Sequence, residues 1–319
     1  MPISIDYTGK LVVVTGGGRG IGLAITTALA KAGADVAITY TSSDPSARAA
    51  ELSAAHGVQV KAFKCEVTRS SDVDAMLEAV EAAYGKKADI GVANAGECSP
   101  NHVGWFQGFR GRLPAEFAPV LLCVLKCVGM LTCPGITLWK DAHENTDDEF
   151  KHVFDVNTFG PFYFARGLVR SWLGQPIDVA KGGDSLNVPT MKANLGKQIL
   201  FVSSISGLVA MTPQRQTAYN ASKGALTMMS KSLAGEWSHL GIYVNSISPG
   251  YVLTDMIANP PDETAKAWAK DWENRTPVGK FATADQIGEF VAVLLSDRQG
   301  GMGFMAGSDV VLDGGYTVF

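Results

Sequence analysis

Tyr219 and Lys223, in the run Tyr219-Asn220-Ala221-Ser222-Lys223, are residue types that can move a proton together. Four positions apart on a helix, two side chains stand one above the other on the same face. An ammonium beside a phenol favours the phenolate, so the tyrosine is expected to ionise below its ordinary pKa of about 10. A phenol tuned in that direction can pass a proton to and from a carbonyl or alcohol oxygen. The plain alternative is a chance pair on an exposed helix face, since the spacing alone is a weak signal. A second hydrogen-bond partner for a reacting oxygen is available in Val202-Ser203-Ser204-Ile205-Ser206-Gly207. This segment ends an apolar run, Ile199-Leu200-Phe201-Val202, and open α/β sheets hold ligands at that carboxyl edge of their strands. Ser203, Ser204 and Ser206 all compete for the role.

A phosphate-binding turn stands near the N-terminus. Leu11-Val12-Val13-Val14 reads as a buried strand, Thr15-Gly16-Gly17-Gly18-Arg19-Gly20-Ile21-Gly22 as a glycine turn, and the Ala/Leu-rich stretch to Ala32-Gly33 as a helix of period 3.6. Glycines permit positive φ and close backbone approach, and a helix N-terminus offers unpaired N–H groups and positive dipole to a pyrophosphate. The spacing is Gly-x-x-x-Gly-x-Gly. The alternative is a turn with no ligand.

The elements that must position these groups alternate along the chain. Strands are expected at 11–15, 35–40, 58–64, 89–93, 198–203, 243–247 and 309–313. Helices are expected at 20–32, 45–55, 71–84, 147–172, 217–239 and 284–296, with a further helix-like stretch from Glu263 to Asn274. Such alternation means an α/β fold: one Rossmann-type, doubly wound parallel sheet of about seven strands with helices on both faces. Asp44-Pro45 reads as an N-cap carboxylate followed by a first-turn proline, and Ser70-Ser71-Asp72 as a second helix start.

Composition is consistent with one catalytic domain spanning 1–319. Of the 319 residues, 46% are hydrophobic and 35 are glycine, enough for a sizeable core with many tight turns. A net charge of −4 argues against a nucleic-acid partner. No apolar run is long enough to span a bilayer, and no basic-then-apolar leader begins the chain, so a cytoplasmic location is expected. Five cysteines without regular spacing suggest a reducing compartment, no disulfide framework and no metal site.

Thr15 to Gly22, Asn94-Ala95-Gly96, Asn157, Ser204, Tyr219 with Lys223, and Pro249-Gly250 occur in the order found in short-chain dehydrogenases/reductases, a family that this chain resembles over most of residues 5–319. The resemblance implies a hydride-transferring oxidoreductase. It favours Ser204 among the three serines, because Gly207 sits where relatives carry a glycine after their catalytic serine. Asn157 resembles the asparagine that kinks its helix and holds a proton-relaying water beside the lysine; an ordinary core asparagine is the alternative. Gly16, Gly18, Arg19, Gly20, Ile21, Gly22, Asn94, Ala95 and Gly96 match the cofactor cradle. Pro249, Gly250, Val252 and Thr254 resemble the segment that grips the nicotinamide carboxamide, with Tyr219 and Lys223 also facing the cofactor.

Cofactor choice is read at the end of the second strand. Val36-Ala37-Ile38-Thr39-Tyr40 runs into Thr41-Ser42-Ser43 with no carboxylate at the tip to hold ribose hydroxyls, and Asp44 is expected to be spent as a helix cap. Thr41 and Ser42 can donate to phosphate oxygens and Arg19 can add charge, which in the resembling family goes with NADP(H). Thr41 and Ser42 merely shaping the loop is the alternative. Glu66-Val67 falls where relatives carry Asp-Val against the adenine.

The stretches Tyr219 to Ala225, Asn274 to Gly279 and Gly307 to Tyr316 resemble fungal-type NADP-dependent ketose/polyol reductases. The resemblance implies hydride transfer between NADP(H) and a small ketose or polyol, in a homo-oligomer of two or four chains. The same scaffold also serves 3-oxoacyl and secondary-metabolite ketoreduction. Residues 97–137 fit none of this. They hold Cys98, Cys123, Cys127 and Cys133 in a segment foreign to its surroundings, and they read as a lid or oligomer contact, a membrane-surface attachment, or translated non-coding sequence. A real insertion beside the nicotinamide site would block catalysis, and a nucleotide-binding protein without turnover, inactivated by that insertion, is the competing function. Residues 174–197, rich in Gly, Asp, Lys and Asn, read as a surface loop.

Overall fold

The computed structural model describes residues 5–95, 137–176, 194–253, 263–296 and 304–319. The 97–137 segment, save Thr137, and most of the 174–197 loop lie outside those residues, as do Gly96 and Thr254.

In chain order the elements are β1 (Leu11–Val14), α1 (Gly20–Lys31), β2 (Asp35–Tyr40), α2 (Ser46–His56), β3 (Val60–Lys64), α3 (Ser70–Tyr84) and β4 (Ile90–Ala93). Then come α4 (Asp147–Phe154), a π segment (Asp155–Phe159), α5 (Gly160–Trp172), β5 (Lys197–Val202), α6 (Thr217–Trp237) and β6 (Ile242–Pro249). The described chain closes with β7 (Val252–Leu253), α7 (Glu263–Arg275), β8 (Ala282–Thr283), α8 (Ala284–Leu294) and β9 (Asp309–Leu312). Seven strands form one sheet in the order β3-β2-β1-β4-β5-β6-β9, and every pair in it is parallel.

A strand's side chains alternate between its faces, and the β-branched runs divide accordingly. Leu11 and Val13 of β1, with Ile199 and Phe201 of β5, pack beneath α3, α5 and α6. Val12, Val14, Leu200 and Val202 pack on the opposite side, against Ile21, Ile25 and Leu29 of α1 and Ile287 and Val291 of α8. Both faces are therefore apolar, and the runs read as continuous rather than alternating.

Three local readings are adjusted. Helix α2 begins at Ser46 with Pro45 as its cap residue; the Asp44 carboxylate still accepts from the Ser46 N–H (2.9 Å). Ser70 and Ser71 lie inside α3, whose cap residue Arg69 makes no side-chain capping bond. The single helix expected over 147–172 is interrupted at Asp155–Phe159, where the ladder shifts register and Gly160 N–H bonds to Asp155 O. Pro161 supplies the reason. It has no N–H, so it cannot serve the carbonyl four residues earlier, which is that of Asn157.

Candidate active site

Two clusters meet at the carboxyl ends of β1, β2, β4 and β5. The first is the glycine turn. Gly16 and Gly20 take positive φ (64° and 52°). A Cβ on Gly22 would lie 2.2 Å from Gly16 O and 2.4 Å from Asn94 Nδ2, so only glycine lets α1 start this close to the turn. Asn94 fastens β4 to the turn from the other side: its Nδ2 donates to Thr15 O (3.1 Å) and Gly16 O (3.3 Å), and Thr15 Oγ1 accepts from the Asn94 and Ala95 N–H groups. Arg19, the cap residue of α1, makes no capping bond, and no acidic residue stands in the first turn. The helix therefore presents an uncapped, positive N-terminus. A cavity of about 520 Å³ opens there, lined by Gly16, Gly18, Arg19, Thr41, Ser42, Glu66, Val67 and Ala95. An uncapped helix end beside a glycine turn fits a dinucleotide pyrophosphate.

The sides of this cavity refine the cofactor reading. Thr41 Oγ1 donates to Cys65 O (3.3 Å), so that hydroxyl shapes the loop, while the Ser42 side chain is exposed in the lining. Asp44 and Glu51 are also in the lining, so carboxylates are nearer than the sequence suggested. Each has a local partner. Asp44 takes Ser46 Oγ–H (2.5 Å) as well as Ser46 N–H, bonds that hold its pKa below the usual carboxylate range. Glu51 pairs with Arg48 at 2.8 Å. Arg48 and His152 line the cavity and were not singled out from sequence. Arg48 lies on α2 after an ordinary helix start, where an arginine signals nothing. Glu66 accepts from Thr68 N–H (3.2 Å) and Thr68 Oγ–H (2.9 Å), which fixes its carboxylate at the β3 end.

The second cluster is built on α6. Tyr219, Lys223 and Asn157 are buried at 8%, 2% and 1% exposure, with Ser204 at 9%. Four buried polar side chains in one place must satisfy one another or a ligand. Lys223 Nζ donates to Val202 O (3.0 Å) and lies 5.7 Å from the centre of the Tyr219 ring. The tip of β5 thus holds the ammonium beside the phenol. Asn157 Nδ2 donates to Ser222 Oγ (3.0 Å), and Ser222 Oγ–H donates to Tyr219 O (2.8 Å), coupling the π segment to the Tyr219 turn of α6.

The three competing serines separate by their partners. Ser203 is fully buried, and its Oγ bonds to Lys223 O (3.1 Å) and Thr227 Oγ1 (2.8 Å), so it joins β5 to α6. Ser204 precedes a short 3-10 turn, Ile205–Gly207, and its Oγ accepts from Ser206 N–H (3.1 Å). Ser206 Oγ accepts from Gln216 Nε2 (3.1 Å). Beyond β6, Gly250 N–H bonds to Leu312 O (2.9 Å), and Val252 is buried in β7.

Sequence reading missed an aromatic and amide wall next to α6. Tyr251 stacks on Trp272 (4.7 Å between ring centres, 12° between planes), and Trp139 stands edge-on to Trp268 (5.6 Å) and Trp272 (6.2 Å). Gln214 ties the stack together: its Nε2 donates to Tyr251 Oη (2.9 Å), and its Oε1 accepts from Trp272 Nε1 (3.0 Å). Burial pushes the Tyr251 phenol's pKa up. Trp268 and Trp272, four apart on α7, were the legible signal.

The short chain dehydrogenase family profile matches residues 10–109, and that of enoyl-(acyl carrier protein) reductase matches 185–317. The sorbose reductase of Candida albicans is 34% identical over 309 residues, covering 97% of this chain and 87% of that protein. The NADP-dependent mannitol dehydrogenase of Alternaria alternata is 30% identical, covering 100% of both. Among solved structures, the L-sorbose reductase of Gluconobacter frateurii complexed with NADPH and L-sorbose superposes with a TM-score of 0.70 at 25% identity, covering 98% of each chain.

Proposed function

Because the chain belongs to the short-chain dehydrogenase/reductase family, we propose that it is an NADP(H)-dependent carbonyl reductase and alcohol dehydrogenase acting on a small ketose or polyol. One observation carries the chemistry: a buried ammonium held by a strand-end carbonyl lies 5.7 Å from the ring centre of a buried phenol. A charge this deep is costly to bury, and the Val202 carbonyl offsets part of that cost. The relatives, a sorbose reductase and an NADP-dependent mannitol dehydrogenase, support the substrate class.

The residues divide the work as follows. Gly16, Gly18, Arg19, Gly20, Ile21 and Gly22 hold the pyrophosphate, with Asn94 and Ala95 behind them. Arg19 and Ser42 receive the 2′-phosphate, Thr41 shapes the loop beside them through its bond to Cys65 O, and Glu66 with Val67 bounds the adenine. Pro249, Gly250, Val252 and Thr254 orient the nicotinamide, which supplies or accepts the hydride when bound. Tyr219 gives its proton to the carbonyl oxygen in reduction and takes it back in oxidation. Ser204 donates a second hydrogen bond to that oxygen; its Oγ already accepts from Ser206 N–H, which leaves its own hydrogen for the substrate. Lys223 keeps a positive charge beside the phenol when the proton leaves. Asn157 anchors the kink through which the proton is replaced from solvent. The 1–319 chain works as one catalytic domain in a homo-oligomer in the cytoplasm. Among the described residues no helix is long and apolar enough to cross a membrane.

The test is turnover of NADPH with a ketose panel and of NADP with the matching polyols. Tyr219→Phe is expected to lower kcat at least about 10³-fold, the upper part of the usual range for acid–base catalysis, because the phenol also binds the reacting oxygen. It leaves the NADPH dissociation constant unchanged. NADPH binding without turnover on any carbonyl would mark a nucleotide-binding protein instead.

A further inference from the structure

We propose that Ser206 is a specificity residue: it donates a hydrogen bond to a hydroxyl on the carbon next to the substrate carbonyl, and Gln216 holds it in that state. The inference deepens the ketose reading above and rests on it.

Hydrogen counting along one chain of side chains leads there. An indole N–H can only donate. Trp139 Nε1 donates to Gln216 Oε1 (3.1 Å), which fixes which end of the amide is oxygen. The amide nitrogen has two hydrogens, and both are spent: one on Ser206 Oγ (3.1 Å), the other on Asn220 Oδ1 (2.9 Å). Ser206 Oγ is therefore an acceptor toward Gln216 and keeps its own hydrogen. No described residue takes that hydrogen, although Ser206 is only 6% exposed. A buried hydroxyl in that condition has a hydrogen left for an acceptor other than the described residues.

The neighbouring hydroxyl is in the same state. Ser204 Oγ accepts from Ser206 N–H (3.1 Å), and its hydrogen is taken by no described residue. Two donors thus sit on one 3-10 turn, two residues apart. A carbonyl oxygen and a hydroxyl oxygen on adjoining carbons supply two matching acceptors; a simple ketone supplies one. Gln216 and Asn220, the two amides of this chain of side chains, also line a cavity of about 460 Å³ beside α6.

The two serines should differ kinetically. Charge develops on the carbonyl oxygen during reaction, so a bond from Ser204 acts on kcat. The neighbouring hydroxyl keeps its charge throughout, so a bond from Ser206 is uniform binding and acts on KM.

The experiment measures wild type, Ser206→Ala, Ser206→Thr and Gln216→Glu with NADPH and L-sorbose. Ser206→Ala is expected to raise KM for L-sorbose about five- to tenfold, the loss of one neutral hydrogen bond, with kcat within about twofold. Ser206→Thr retains the hydroxyl and stays within about twofold of wild type on both constants. Gln216→Glu presents an acceptor-only carboxylate that takes the Ser206 hydrogen, so KM rises as in Ser206→Ala. The NADPH dissociation constant, followed by protein fluorescence, is unchanged in all three. A KM for Ser206→Ala within twofold of wild type overturns the inference, as does a loss confined to kcat or an equal loss in Ser206→Thr. A wild type inactive on every ketose overturns the proposed function instead; an active wild type that Ser206→Ala matches overturns this inference alone.

Discussion

Gly207 closes the serine turn against the backbone of α6, and its replacement by alanine isolates how much of catalysis is position. A Cβ at Gly207 would stand 2.7 Å from Lys223 C, 2.8 Å from Gly224 N and 2.9 Å from Lys223 O. All three are backbone atoms of the helix that carries Tyr219 and Lys223, so no side chain can rotate away. Restoring ordinary contact requires the turn and the helix to part by about 0.7 Å, the shortfall of 2.7 Å against 3.4 Å. A misplacement of about 1 Å costs on the order of 10²-fold in rate, so this shift is expected to cost about 10- to 100-fold in kcat. Overpacking of this kind destabilises by about 1–3 kcal/mol. The Gly224→Ala variant is the control: its nearest neighbour would be Gly207 O at 3.4 Å, and alanine is the better helix former by about 1 kcal/mol. Steady-state NADPH oxidation with L-sorbose, thermal unfolding and NADPH titration are measured on both variants. NADPH affinity should hold in both, because the glycine cradle lies at β1 and not at this turn. A Gly207→Ala enzyme with wild-type kcat, or a Gly224→Ala enzyme equally impaired, would refute the idea that this contact sets the distance between serine and tyrosine.

Two further outcomes follow from the titratable groups. Burial, with Asp72 and Glu66 nearby, pushes the Cys65 thiol up to about 12, so at pH 8 it is almost wholly protonated. Iodoacetamide should leave the Cys65 peptide unmodified in the folded protein and alkylate it fully in denaturant, read by mass spectrometry; rapid labelling without denaturant would contradict the burial. Glu149, which closes a capping box with Thr146 at the start of α4, has its pKa held down by the Thr146 N–H and by Lys140 at 2.9 Å. A depressed carboxylate contributes stability that is present above its ordinary pKa of about 4.3 and lost as pH falls through the lower folded value. For this solvent-screened pair about 0.5–1 kcal/mol is at stake, or roughly 1–4 °C in Tm. Glu149→Gln keeps the cap, so the wild type's Tm advantage over it should be present at neutral pH, shrink as pH falls below the ordinary carboxylate value and vanish once the folded carboxylate is protonated; an advantage that persists unchanged in acid would show the charge to be irrelevant.

The strand and helix order was readable because its cause is local. β-branched apolar runs, Ala/Leu periodicity and glycine punctuation act over a few residues, and the seven main strands fall within two or three positions of where the pattern puts them. The functional motifs were legible for a related reason. The glycine turn needs glycine for its own φ and for the clearance at Gly22, and the Tyr219/Lys223 spacing is fixed by helix geometry. The Asn157 kink was half legible: Pro161 announces a broken hydrogen bond four residues back, but not that the ladder passes through a π turn.

What the sequence by itself determined is the set of chemical groups and the local frames that carry them: a phenol above an ammonium, a serine after a strand, a glycine turn before a helix. Tertiary structure alone decided that Ser203 bonds within the protein while Ser204 and Ser206 keep a hydrogen that no described residue takes, because that depends on partners on another element, Lys223 and Thr227 for Ser203 and Gln216 for Ser206. It also brought Trp139, Gln214, Tyr251 and Trp272 into one wall, and put Arg48 and His152 in the cavity at the glycine turn. Hydrogen bonds and ring contacts between residues tens of positions apart are set by how helices and loops lie on the sheet, and no short-range pattern of residues encodes that distance.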